Sequence, residues 1–191
     1  MKLKEKLECD GTSITYIEGL TSATISSYRE INELISLGEQ NRHVSSTKQN
    51  KTSSRSHSIC TIQILQHFAD KSVIKGSINL VDLAGSERVS KSSAHGEALQ
   101  EAKKINQSLS SLGQVINSIA KNLPHIPYRD SKLTRILKES LGGNNKTKLI
   151  VTCSMDFQQV GETLSTLRFA QNSKKIQNTV KMNCHNSSSL T

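Results

Sequence analysis

Two short stretches of this chain carry residue types that can handle a phosphate and a divalent cation. They are Asn50-Lys51-Thr52-Ser53-Ser54-Arg55-Ser56-His57 and Asp82-Leu83-Ala84-Gly85-Ser86-Glu87. The second follows an apolar run, Ile78-Asn79-Leu80-Val81. That run reads as a buried strand delivering Asp82 and Gly85 to its C-terminal edge, where open α/β sheets place ligands. A carboxylate there can hold a hydrated Mg²⁺, and a glycine three residues on lets a backbone N–H approach a terminal phosphate. The first stretch supplies hydroxyls able to reach Mg²⁺ or water. It also supplies Arg55, a partner for Glu87.

Residues at those two places need a frame. Residues 1–11 are polar and read as a frayed start or the remnant of an edge element. Thr12 to Ile17 alternates enough for a short strand. Ser26 or Ser27 can cap a helix over Tyr28–Leu37, with Gly38 ending it and a polar, switch-like stretch from Glu39 to Ser54. Ser58–Phe68 alternates as a strand with one strongly buried face, and Asp70-Lys71-Ser72 turns it into a second strand, Val73–Asp82. A long helix follows. Its apolar seam runs Ala98, Ala102, Ile105, Leu109, Leu112, Ile116, Ile119 and Leu123, which places one stripe against a core over some seven turns. A short helix over Asp130–Ser140 stops at Gly142-Gly143. Lys148–Ser154 reads as a buried strand and Gly161–Ile176 as the last helix. The end, His185–Thr191, is polar and of low complexity, a tail with no core to join.

Composition narrows the partners. At 191 residues the chain can build one core. It contains no apolar run of about 18 residues, so no membrane span is expected. Its first residues, Met1 to Lys6, are too charged for a signal peptide. The cysteines at 9, 60, 153 and 184 lack C-x-x-C spacing, so they read as thiols in a reducing compartment rather than a metal site. The net charge of +9 favours an acidic partner, and acidic protein surfaces and nucleic acids both qualify. Aromatics make up 3% with no Trp, which argues against stacking on single-stranded bases. A nucleic-acid binder would explain the charge but neither of the two motifs.

A lone D-x-x-G is a weak signal. N-x-x-S-S-R-S-H followed, after a strand-sized gap, by D-L-A-G-S-E is specific, and together they resemble the two nucleotide-sensing switches of a kinesin motor. Tyr128 to Arg135, Ser140-Leu141-Gly142-Gly143-Asn144 and Glu162 to Ala170 resemble the same family. The resemblance covers about Tyr16 to Val180, and Val89-Ser90-Lys91 with Glu101 to Asn106 leans towards conventional kinesin. It implies an α/β fold: the C-terminal part of the three-layer kinesin motor, a mixed central sheet flanked by helices. On that basis residues 12–176 form a partial motor domain after a remnant over 1–11. Residues 177–184 form a neck-linker-like segment, and 185–191 a disordered tail.

The resemblance also assigns roles. Ser53 and Ser54 would sit near Mg²⁺ and the γ-phosphate, Ser54 as a metal ligand. Asp82 would hold Mg²⁺ through water, and Gly85 would donate its N–H to the γ-phosphate of ATP. Arg55 and Glu87 would form the ion pair that closes the site and positions the attacking water. Asn106 either steadies that water network or is simply a polar helix position. His57 would orient the switch loop rather than transfer protons. The microtubule face would comprise Arg88, Lys91, Lys103, His125, Tyr128, Arg129, Lys132 and Arg135; any single one of these lysines could equally be a solvated charge. Two departures stand out: Ser92-Ser93 replaces a Thr-Gly pair, and His125 stands where Tyr is usual.

One component is missing from these 191 residues. A site of this class needs a phosphate loop, G-x-x-x-x-G-K-[ST]. The nearest stretch, Gly142-Gly143-Asn144-Asn145-Lys146-Thr147, has Ser140 and Asn145 where the glycines should be, and reads instead as a helix-ending turn before a strand. The resemblance implies that the loop and two central strands belong to the N-terminal part of the motor. The chain alone would then be unstable or loosely folded and would bind ATP weakly. Two readings follow: a portion of an ATP-driven cytoplasmic microtubule motor, or a truncated, non-catalytic microtubule binder. The segment Lys175–Val180 resembles a neck linker and points to plus-end movement. Dimerisation would need a coiled coil from a longer parent.

Overall fold

The computed structural model describes residues 2–7, 13–44, 56–70, 72–86, 97–181 and 184–185. The chain divides into two compact units. One comprises Met1–Thr12, Ile17–Gly85 and Met182–Thr191; the other comprises Ser13–Tyr16 and Ser86–Lys181.

Of the two readings of the polar start, the described residues follow the strand-like one: Leu3–Leu7 is a strand, β1, and Ser13–Ile17 is β2. Glu18 donates its amide to the Lys2 carbonyl at 3.0 Å, and its carboxylate pairs with the Lys4 ammonium. Helix α1 spans Tyr28–Val44. Ser27 Oγ accepts the Glu30 amide at 3.3 Å, and the Glu30 carboxylate accepts the Ser26 amide at 2.8 Å. This reciprocal cap fixes the helix start and holds the Glu30 carboxyl below its ordinary range. The expected stop at Gly38 fails. Gly38 does not take the left-handed conformation of a helix end, and a mid-helix glycine costs only about 1 kcal/mol. The helix therefore continues six residues and carries Arg42 into its last turn, where a cation suits the helix dipole.

Strands β3 (Ser58–His67) and β4 (Val73–Asp82) form the expected antiparallel hairpin, with register from Ser58 opposite Asp82 to His67 opposite Val73. Asp70 closes the turn. Its carboxylate accepts the Ser72 amide at 2.9 Å and the Ser72 hydroxyl at 2.6 Å, and these bonds hold the Asp70 carboxyl low. The strands are correctly placed, but their expected burial is not found. Val73 is buried, whereas Ile64, Leu65, Ile78 and Leu80 are exposed. A sheet face is buried only when another layer lies on it, and no described element of this unit covers these side chains. A further correction concerns the tail: Cys184–His185 forms β5, pairing with Ile74 and Val73 of β4, so His185 joins the sheet. The described strands of this three-stranded sheet are all antiparallel.

The second unit is built on α2 (Glu97–Ala120), α3 (Lys132–Ile136) and α4 (Val160–Ser173). Leu112, Val115 and Ile116 of α2 form a core with Leu133, Leu137 and Leu141, and Val115 is 0% exposed. The seam ends before Leu123. Asn122 adopts φ 51°, its amide donates to the Ile119 carbonyl at 2.9 Å, and the Leu123 amide reaches the Ser118 carbonyl at 3.0 Å. This left-handed cap turns the chain, and Leu123 is exposed. The short helix over Asp130–Ser140 is broken in three: a 3₁₀ turn at Tyr128–Asp130, then α3, then a 3₁₀ turn at Lys138–Ser140. Ser131 causes the first break by capping α3, accepting the Thr134 amide at 3.0 Å. The turn after it is as expected: Gly142 has φ 89°, and a Cβ on Gly143 would lie 2.6 Å from the Cα of Glu139.

Lys148–Ser154 is the largest departure. It forms no strand, and Leu149 and Ile150 are exposed, Ile150 at 88%. A strand needs a ladder partner, and among the described residues this segment has none. Beyond α4, Asn178 anchors the neck-linker-like segment on the glycine turn. Its side-chain amide donates to the carbonyls of Ser140 and Asn145 and to Thr147 Oγ1, while its oxygen accepts the Gly142 amide at 2.8 Å.

The core of this unit makes a direct prediction. Leu112→Ala should lower unfolding free energy by about 3 kcal/mol, read as a reduced urea midpoint by far-UV circular dichroism. An unchanged midpoint would mean that α2 is not packed as described.

Candidate functional site

The hairpin register brings the two motifs together. With Ser58 opposite Asp82, the residues just before β3 lie beside those just after β4. Ser56 and His57 therefore face Asp82 and Ala84, more than twenty residues away in sequence. Within the same unit, the end of α1 reaches this corner and supplies Arg42.

Arg42 holds the corner through hydrogen bonds to Ser56 and Asp82. Nε donates to Ser56 Oγ at 3.0 Å, one terminal nitrogen donates to the Ser56 carbonyl at 2.7 Å, and the other donates to Asp82 Oδ2 at 2.8 Å. The planar guanidinium can serve both motifs at once, which a lysine ammonium does less well. The Arg42 side chain is 19% exposed, while Asp82 remains 69% exposed. Asp82 thus keeps a carboxylate face turned to solvent while one oxygen is tethered.

A second tie joins the same segments. Nδ1 of His57 accepts the Ala84 amide at 3.0 Å. That bond needs the Nδ1 lone pair and places the proton of neutral imidazole on Nε2. Burial lowers the His57 pKa from its ordinary 6.5; the Arg42 cation lowers it further, and Asp82 opposes. Imidazolium would have no acceptor for the Ala84 amide. The bond ties the end of the first motif to the second.

Among the other expected site residues, Gly85 is half-buried just past β4, and Asn106 is half-buried on α2. Ser53, Ser54, Arg55, Glu87, Arg88 and Lys91 lie outside the described residues. Lys103 falls within α2. The remaining members of the proposed basic face belong to the second unit. His125, Arg129 and Lys132 are exposed and Arg135 is half-buried. Tyr128 is half-buried and its hydroxyl donates to the Leu141 carbonyl. Burial, with Glu139 nearby, raises the Tyr128 pKa from its ordinary 10.0.

Sequence reasoning missed Arg42. It sits in a polar stretch beyond Gly38, and its partners are 14 and 40 residues away. The one local signal is a cation near a helix end, and this needed the helix to run past the glycine.

Two outcomes follow from this corner. Arg42→Ala should remove about 1–2 kcal/mol of stability and speed amide exchange around Ser58 in β3; Arg42→Lys should recover less than half of the loss. Unaltered exchange there would discount the tether. For His57, the folded pKa lies below the unfolded 6.5, so the unfolded chain binds the proton more readily. The stabilisation is complete above about pH 6.5 and is lost as pH falls through the folded pKa. Its imidazole resonances should titrate below 6.5 by NMR, and a midpoint at or above 6.5 would contradict the Ala84 bond.

Comparison with known proteins places this geometry in a family. The kinesin motor domain model matches residues 2–176. Kinesin-related protein 5 of Dictyostelium discoideum is 54% identical over 169 residues, covering 88% of this chain and 17% of that protein. The solved structure of a fast kinesin superposes with a TM-score of 0.83 at 48% identity, covering 97% of this chain and 52% of that one. A KIF14 dimer, solved in a two-heads-bound state with AMP-PNP and a microtubule, superposes at 0.82 with 41% identity, covering 95% and 52%. The chain therefore spans about half the length of these solved motors and less than a fifth of the Dictyostelium relative. Its fold is a portion of the motor fold, and the chain belongs to the kinesin motor domain family.

Proposed function

We propose that this chain is the switch-bearing and filament-facing portion of a microtubule motor, one that couples ATP hydrolysis to movement when the fold is complete. The observation that carries this reading is the corner where Arg42 and His57 join the two motifs. Tying two loops that would both sense a nucleotide lets a change at one be felt at the other. The relation to a KIF14 dimer solved with AMP-PNP and a microtubule supports the choice of nucleotide and filament.

In this reading Asp82 and Ser54 hold Mg²⁺, Asp82 through water. The described part of the site fits that ion. Mg²⁺ keeps several waters and needs only one or two carboxylates beside the substrate phosphates. Asp82 offers one solvent-facing carboxylate. When bound, Mg²⁺ supplies positive charge to the transferring phosphate. Arg42 fixes the orientation of Asp82. Gly85 donates its amide to the terminal phosphate, with Ser53 near the same phosphate. Arg55 and Glu87 pair across the two motifs and orient the water. An exposed ion pair stabilises by only about 0–1 kcal/mol, so the value of that pair is geometric.

Arg129, Lys132 and Arg135 provide the cations for an acidic filament, with His125 and Tyr128 beside them and Arg88, Lys91 and Lys103 continuing that face. The alternative reading is a filament binder without turnover.

Cosedimentation with stabilised microtubules tests the first element. The chain should pellet in a salt-sensitive manner, and Arg129→Glu with Lys132→Glu should weaken binding about tenfold. Failure to pellet at low salt would remove the filament from the proposal. A fluorescent ATP analogue separates the two readings. Tight, Mg²⁺-dependent binding when the rest of the motor fold is supplied supports the ATPase; its absence leaves the passive binder.

A further inference from the structure

Leu141 and Gly142 share one peptide group, and side chains take both of its polar ends. The Tyr128 hydroxyl donates to the Leu141 carbonyl, and the Gly142 amide donates to Asn178 Oδ1 at 2.8 Å. A trans peptide is planar, with its C=O and N–H pointing in opposite directions. Fixing the carbonyl therefore aims the amide.

The peptide needs that restraint. Leu141 has φ −120° and ψ 75°, and Gly142 has φ 89°. Glycine takes positive and negative φ about equally well, so this peptide can flip at little backbone cost. After a flip the carbonyl would face Asn178 Oδ1, oxygen against oxygen. Asn178 cannot turn its nitrogen to meet it, because Nδ2 is committed to Ser140, Asn145 and Thr147. Tyr128 is itself rigidly placed. Its amide donates to the Ile126 carbonyl at 2.9 Å, and its carbonyl accepts at 2.8 Å from the hydroxyl of Thr134, which is 0% exposed. Its own hydroxyl lies over the glycine: a Cβ on Gly142 would sit 3.4 Å from it. All of these residues belong to the second unit.

We propose that Tyr128 is a positioning residue for the C-terminal segment. Its hydroxyl holds the Leu141–Gly142 peptide in the orientation that offers the N–H to Asn178, and a flip of this peptide releases that contact. The Thr179 and Lys181 amides, bonded to the Gly143 carbonyl and to Asn144 Oδ1, keep the segment at the turn when the peptide flips. The peptide thus sets how firmly the segment sits, not whether it is attached. Tyr128 stands among the residues proposed to face a filament, but this task points inward and involves neither filament nor nucleotide.

The test is NMR on the 191-residue chain. Tyr128→Phe removes only the hydroxyl. It should speed exchange of the Gly142 amide about fivefold and move its ¹⁵N resonance, while exchange of Val115 in the α2 core changes less than about twofold. Asn178→Ala leaves the tyrosine in place. Coupling between two contacts is reciprocal, so this variant should move the Tyr128 ¹³Cζ resonance towards that of an exposed tyrosine.

Three results would overturn the proposal. Unchanged Gly142 exchange in Tyr128→Phe would show that the peptide keeps its orientation without the hydroxyl. Acceleration of Val115 equal to that of Gly142 would make the tyrosine a support of the whole unit. A Tyr128 resonance unmoved in Asn178→Ala would separate the two contacts, and this variant decides the matter even where Tyr128→Phe weakens the fold.

Discussion

The pairing of Ser58 with Asp82 across β3 and β4 is the constraint on which the corner between the two motifs depends. The motif before β3 and the motif after β4 belong to one site only because the hairpin folds them edge to edge. Side chains alternate along a strand, so a slip of one residue would turn the set to the opposite face. Asp70 helps to prevent that slip by fixing the turn through Ser72. Arg42 then converts proximity into a connection, with one guanidinium bonded to Ser56 and Asp82.

A common physical rule separates the segments that meet their partners from those that do not. Helix α2 meets Leu133, Leu137 and Leu141 within its own unit, and its Leu112–Ile116 stretch is buried accordingly. The hairpin pairs its two strands along their shared edge but leaves Ile78 and Leu80 exposed. Lys148–Cys153 satisfies neither requirement. Hydrogen bonding and apolar burial are separate demands, and a sheet segment meets both only when neighbours lie beside it and above it.

That distinction explains which features could be read from the chain. The hairpin, the long helix and the last helix were legible because periodicity and turn residues are local signals. Asp82 at a strand end was legible for the same reason. Gly38 misled because a glycine marks a helix end only when the chain there takes a left-handed turn, and Asn122 rather than Gly38 does so. Burial of β3, β4 and Lys148–Ser154 was not legible. An apolar run records what a strand requires and carries no record of whether its cover lies in the same stretch of chain. Arg42 and the pairing of β5 with Val73 escaped because their contacts are long-range and their own neighbourhoods are polar.

The anchoring of Asn178 has a chemical consequence of its own. Its amide nitrogen serves three acceptors, the carbonyls of Ser140 and Asn145 and the hydroxyl of Thr147, while its oxygen takes the Gly142 amide. Deamidation to aspartate would replace that donor with an anionic oxygen, which can only accept. Two carbonyl oxygens would then face a negative charge, while the Thr179 and Lys181 amides, bonded to the Gly143 carbonyl and to Asn144 Oδ1, would still hold the segment to the turn. The clasp is therefore selective for a neutral amide at a position where shape alone would admit a carboxylate.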